Sequence, residues 1–350
     1  MHVSPTIWII TCLVILGLFV FDFFAHVRVP HAPSLKESGA WSAVYITIAL
    51  IFGGFVWWQW GGTYGGEYFA GYVTEKALSV DNLFVFVIIM AKFAVPREYQ
   101  QKVLLLGIVM ALVMRGAFIA VGAAAINAYS WVFYLFGAFL IFTAVKLLRE
   151  SDDPVTHEEE RESRLERFVK RYLRSHDQYD GDRLFTKVNG KRLATPMLMV
   201  LIVIGFTDVL FALDSIPAIY GLTQEPYLVF TANAFALMGL RQLFFLLSGL
   251  LDRLVYLSFG LSFILAFIGV KLVLHALHEN TLPFINGGEH VSVPEISTPL
   301  SLGVIIGTLV ITTVASLLSS KKSDAEKAAS EKSGSEKSGS EESGSEKPAE

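Results

Sequence analysis

Cysteine is nearly missing from this 350-residue chain, with Cys12 standing alone. That excludes an intrachain disulfide and any thiolate metal cluster. Charge is scarce too: Asp, Glu, Lys and Arg make up 17% of the residues, against about a quarter in soluble globular chains. What charge there is crowds into roughly 149–194 and the tail beyond 319, leaving long apolar runs elsewhere. The net charge of −4 gives no reason to propose a nucleic-acid partner. The opening Met1-His2-Val3-Ser4-Pro5 has no Lys or Arg, and no A-x-A site follows the first apolar run. Trp8–Phe24 therefore reads as a retained helix rather than a signal peptide.

What is abundant is apolar sequence, 53% of residues, with a mean hydropathy of +0.52. Runs of about 18 or more such residues read as membrane spans, because the hydrocarbon core needs about 20 residues at helical rise. Nine spans follow: 6–26, 41–58, 66–91, 102–124, 129–148, 195–221, 228–250, 254–278 and 300–318. The third and sixth contain several charges, but basic residues argue for both. All but five of the 28 Lys and Arg fall in connections on one side, and the other five (Lys76, Arg115, Lys146, Arg241 and Lys271) lie inside spans. Dropping either helix would destroy that separation. The positive-inside rule places the N-terminus outside and the C-terminus in the cytoplasm. Trp57, Trp58 and Trp60 mark the outer interface.

The expected fold is an all-α polytopic membrane protein in four parts. Residues 1–148 carry helices one to five, and 149–194 form a charged cytoplasmic loop. Residues 195–318 carry helices six to nine, and 319–350 form a disordered tail of Glu-Lys-Ser-Gly-Ser repeats. Within the loop, 156–176 reads as a charge-laced helix. Phe185-Thr-Lys-Val-Asn-Gly-Lys-Arg-Leu193 carries the Asn-Gly signal of a hairpin. Asp177-Gln-Tyr-Asp-Gly-Asp182 lacks the alternating spacing of a calcium loop.

The chemistry lies in an internal repeat. Helix three reads Gly71-Tyr-Val-Thr-Glu75-Lys-Ala-Leu-Ser-Val-Asp81-Asn82, and helix six reads Gly205-Phe-Thr-Asp208-Val-Leu-Phe-Ala-Leu-Asp214-Ser215. Each has an acid, five intervening residues, a second acid and a small polar residue, and both acids recur 133 positions on. Arg115 and Arg241 follow one helix later in each unit, then Lys146 and Lys271. A unit of three helices is odd in number, so the second enters from the opposite face. Helices 3–5 and 6–8 then form an inverted repeat, an arrangement that puts transporter sites at the midplane.

A carboxylate at the bilayer centre costs roughly 2.5–3.5 kcal/mol, so four of them must face one another, a cation or a wet cavity. Positions six apart lie about 9 Å along a regular helix and about 120° around it. A single pair clamps one ion only if the helix is irregular, for which Pro217 gives a reason in helix six. Asp81 and Asp214, with Asn82 and Ser215, are expected to face each other, with Glu75 and Asp208 one step along the path. The bland alternative is an ion-pair network in which Arg115 and Arg241 neutralise the acids. Asp22 contacts the cavity or pairs near the interface with His26 and Arg28. Lys146 and Lys271 read as snorkelling or dipole-complementing residues, and His275 and His278 as interfacial. Oxygen donors without thiolates or a mid-membrane histidine pair suit hard cations such as Mg²⁺, Mn²⁺ or Ca²⁺.

These segments resemble the TerC family of integral membrane proteins, associated with tellurium resistance. The likeness is carried by Glu75-Lys-Ala-Leu-Ser-Val-Asp-Asn-Leu-Phe-Val-Phe86, Phe206-Thr-Asp-Val-Leu-Phe-Ala-Leu-Asp-Ser-Ile-Pro-Ala218 and Asn280-Thr-Leu-Pro-Phe-Ile-Asn-Gly-Gly288, and it covers roughly 1–318. The resemblance implies nine helices and, for several members, manganese efflux or metal supply to secreted proteins. The residues it implicates are Glu75, Asp81, Asp208 and Asp214, with Asn82 and Ser215. Gly205 stands where many members have glutamate, one carboxylate fewer at the inner end of helix six. The expectation is a multi-pass plasma-membrane exporter of a divalent cation, manganese first. It is not an enzyme and has no resident cofactor, and its partners are the lipid bilayer and the metal ion. The competing readings are a membrane scaffold docking through 149–194 and an intramembrane aspartyl hydrolase. The Gly-x-Gly-Asp pattern of the latter is missing from the helices.

Overall fold

The computed structural model describes residues 1–27, 33–129, 131–150, 178–188, 191–247, 256–279, 282, 285–316 and 318–319. The charge-laced helix expected at 156–176 and the tail from 320 lie outside the described residues. Ser4 accepts a hydrogen bond from the Ile7 N–H at 3.4 Å and Pro5 takes the first helical position, starting α1 (Pro5–Asp22). Its end widens into a π-helical turn, Phe23–Val27. Ser34 and Glu37 form a reciprocal capping box, so α2 (Leu35–Trp60) begins well ahead of its apolar run. Then come α3 (Gly62–Lys92), α4 (Arg97–Ala128) and α5 (Val132–Glu150).

A hairpin follows, β1 (Phe185–Val188) antiparallel to β2 (Lys191–Ala194), with Val188 opposite Lys191 across the expected turn. Lys102 of α4 bonds the Asp182 carboxylate at 2.5 Å, which holds that carboxyl below its usual range. The Tyr179 hydroxyl donates to the Phe93 carbonyl at 2.7 Å. The charged segment is thereby tied to the same ends of α3 and α4.

The second half contains α6 (Pro196–Tyr220), α7 (Pro226–Leu237), α8 (Leu240–Leu247), α9 (Leu257–His278) and α10 (Thr298–Ser316). Two sequence expectations change here. Pro217 does not interrupt α6: it lacks the N–H that would bond the Leu213 carbonyl, but the helix runs on through Tyr220. The irregularity falls instead in the seventh span, expected as one helix over 228–250. Met238 leaves the helical region (φ −61°, ψ 130°) and Gly239 takes φ +79°, splitting α7 from α8.

Among the described residues, eight helices are long and apolar enough to cross a membrane. The ninth expected span, α3, has ample length at 31 residues, but Glu67, Glu75, Lys76 and Asp81 lower its apolarity. The protein is thus all-α and polytopic, with an inside-out surface. Trp58 is 80% exposed and Ile51 and Ile311 68%, an apolar exterior that lipid tolerates and water does not. Inside, α3 packs against α2, α6 and α7, while α4 packs against α6. Helices α5 and α9 pack closely along each other. At their crossing a Cβ on Gly137 would meet the Gly269 carbonyl at 2.8 Å and Val273 Cγ2 at 2.7 Å. Because part of that obstacle is backbone, Gly137→Val is expected to force the helices apart. The overpacking cost is about 1–3 kcal/mol, read as a lower unfolding temperature of the detergent-purified protein. An unchanged temperature would show that α5 and α9 separate freely.

Candidate functional site

Helical spacing sorts the repeat residues before any contact is considered. Residues seven apart lie about 20° apart around a helix, whereas residues six apart diverge by about 120°. Asp208 and Ser215 therefore share one face of α6, and Asp214 turns away. On α3, Asn82 shares the face of Glu75, and Asp81 diverges.

Arg115 of α4 projects between these two faces and is fully buried. Its Nε and Nη2 donate to the two oxygens of Asp208 at 3.1 and 3.0 Å, a bidentate fork. Its Nη1 donates to Glu75 Oε1 and, at 3.2 Å, to Ser215 Oγ. Ser79, one turn along α3, donates to the same Glu75 oxygen at 3.5 Å. One guanidinium thus faces two carboxyl groups. The second Glu75 oxygen, Oε2, is buried without a hydrogen-bond partner. In an apolar interior an orphan acceptor is costly.

The structure accordingly brings together Glu75, Asp208 and Ser215, on Arg115. Asn82 is buried in α3, and Asp214 is half-buried, without a hydrogen bond or ion pair to a described side chain. The Asp81 side chain lies outside the described residues, so its expected meeting with Asp214 does too. Among the described residues no three of His, Cys, Asp and Glu converge to hold a metal. In this conformation Arg115 occupies the oxygens of Glu75 and Asp208.

Arg241 does not share these acids, although it is the counterpart of Arg115 in sequence. From α8 its Nη2 donates to Asp22 Oδ1 at 2.8 Å and its Nη1 to Gln101 at 2.8 Å. Asp22 is buried; the same oxygen takes the Tyr45 hydroxyl at 2.6 Å, and His26 Nδ1 lies 3.2 Å away. Asp22 thus anchors a second polar cluster. Sequence reading also missed Lys76, whose ammonium reaches the α7–α8 break. Gly239 inside an apolar span was the available signal for that break.

Removing Arg115 strands two buried acids, so Arg115→Met is expected to cost about 3–5 kcal/mol. Adding Glu75→Gln and Asp208→Asn should restore most of the loss, since three neutral groups need no counter-charge. Thermal unfolding of the single and triple variants checks this. A triple variant no better than the single one would mean the charges are not coupled.

A family model for the TerC integral membrane protein family matches residues 60–324. The uncharacterized membrane protein Mb2742 of Mycobacterium bovis is 53% identical over 325 residues, covering 92% of this chain and 81% of that protein. The uncharacterized membrane protein STKORF319 of Myxococcus xanthus is 40% identical, covering 92% and 96%. The protein Alx of Escherichia coli (strain K12), whose name proposes a membrane-bound redox modulator, is 34% identical, covering 92% and 98%. No solved structure matches. With a family model over most of its length and relatives aligned across nearly the whole chain, the protein belongs to the TerC family of integral membrane proteins.

Proposed function

We propose that this protein is a transporter that exports a divalent metal cation, manganese first, across the plasma membrane. The observation that carries the reading is the uncompensated cluster Glu75–Arg115–Asp208, with its orphan oxygen at Glu75. A divalent cation reaching these carboxylates brings two positive charges against the one that Arg115 supplies. It competes for the same oxygens and releases the guanidinium. Asp214, six residues beyond Asp208 and off its face, offers the next step of such a path, and Asp81 is its counterpart six residues beyond Glu75 in sequence. Carboxylate, amide and hydroxyl oxygens suit Mn²⁺, Mg²⁺ and Ca²⁺ over soft metals.

Helix pairing supports the inverted-repeat reading. A two-fold relating spans 3–5 to spans 6–8 would exchange the α3–α7 contact with the α4–α6 contact and leave α5–α9 unchanged, and all three contacts are present. An intramembrane aspartyl hydrolase is disfavoured, because its two acids must share a proton. Here the Arg115 guanidinium lies between Glu75 and Asp208 and is hydrogen-bonded to both, so the two acids do not share a proton. A redox role of the kind in Alx's name would run through metal supply in this chain, since Cys12 has no second thiol to pair with.

In proteoliposomes carrying a Mn²⁺-quenched dye, the wild type is expected to carry Mn²⁺ flux, with Mg²⁺, Ca²⁺ and Zn²⁺ ranking its preference. Asp214→Asn and Asp81→Asn should each fall to the level of protein-free vesicles while remaining folded. Undiminished flux in both variants would reject the transport path.

A further inference from the structure

The interrupted seventh span leaves backbone groups that an unbroken helix would satisfy. Met238 and Gly239 depart from helical geometry, so the carbonyls in the last turn of α7 lose their usual N–H partners four residues on. The Gly239 carbonyl is taken up by α8, accepting from the Leu243 N–H at 3.0 Å. The carbonyls of Ala236 and Met238 instead receive the Lys76 ammonium, at 2.9 and 3.3 Å. Lys76 follows Glu75 directly, so it leaves α3 about 100° around from the carboxylate clamp. Among the described residues it makes no ion pair, and two carbonyl oxygens meet its charge.

Carbonyl oxygens at the C-terminal end of a half-helix carry the negative end of its dipole. In broken-helix transporters such ends coordinate small cations. We propose that the carbonyl end of α7 is a monovalent-cation site and that its resident cation is the tethered ammonium of Lys76. The tether keeps the site filled whatever the salt outside. It also fastens the break to the helix that carries Glu75, so a movement of α3 at the acid clamp pulls on the α7–α8 joint. This site does not depend on the metal-export reading, because its ligands are backbone oxygens and its occupant is part of the chain.

Without the ammonium the site should become available to a free ion. The full-length protein purified in detergent is compared with Lys76→Met in NaCl, KCl and choline chloride at equal ionic strength, and its unfolding temperature is read. The wild type is expected to unfold at the same temperature in all three salts. Lys76→Met should unfold several degrees lower in choline and recover saturably as Na⁺ or K⁺ replaces it, whereas choline is too large to enter. Lys76→Arg keeps a charge and should stay insensitive to the salt. If Lys76→Met is not recovered folded, Lys76→Gln, which keeps an N–H donor without charge, is read the same way. The proposal is overturned if the uncharged variant matches the wild type in choline, if it is equally destabilised in all three salts, or if Lys76→Arg responds to Na⁺ or K⁺. None of these readings uses metal flux, so failure here is distinguishable from failure of the export proposal.

Discussion

The guanidinium of Arg115 joins three helices in a fully buried position. It forks onto Asp208 of α6 and reaches Glu75 of α3 from its own place on α4. Any of these charges alone would be among the most expensive groups a bilayer can hold. Together they fix the relative rotation of three helices, because a bidentate fork tolerates little change in angle. The arrangement is also unequal, with two carboxyl groups against one guanidinium. A structural network selected only for stability would close its charges. This one leaves the second Glu75 oxygen buried with no hydrogen-bond partner among the described residues.

Three internal cations are handled in three ways. Arg115 is held by two carboxylates, Arg241 by the Asp22 carboxylate with Gln101, and Lys76 by two backbone carbonyls. These solutions grade from strongly charge-paired to dipolar, and they place different demands on the surrounding backbone. The carbonyl solution requires a broken helix. Gly239 supplies it, since φ +79° is open to glycine and strained for residues with a Cβ. A Cβ there would also meet Tyr45 Cβ at 3.0 Å. Tyr45 is the same residue whose hydroxyl bonds Asp22. The break and the Arg241 cluster therefore share a packing neighbour, and the polar centres form a connected interior rather than isolated pairs.

Much of the fold was legible before any coordinates. Apolar run length located the spans, and the basic residues argued for counting α3 despite its charges. The residues that meet on Arg115 were all named in advance, because a carboxylate in an apolar run announces itself. What misled was local chemistry read without position. Pro217 looked like the source of irregularity, but α6 runs through it, whereas a glycine in mid-span allowed the real interruption. Arg115 and Arg241 looked equivalent because they occupy matching places in the two units, yet one meets the repeat acids and the other meets Asp22.

The amino-acid sequence by itself determined that the chain lives in a membrane and which charges must be buried there. Those follow from composition and from the helical period, which are local properties. Which acid meets which base was decided only by tertiary structure. Partner choice depends on the depth and rotation of helices up to 219 residues apart in the chain, as Asp22 and Arg241 are. Periodicity fixes the face a side chain occupies on its own helix, but not the neighbour that face will meet.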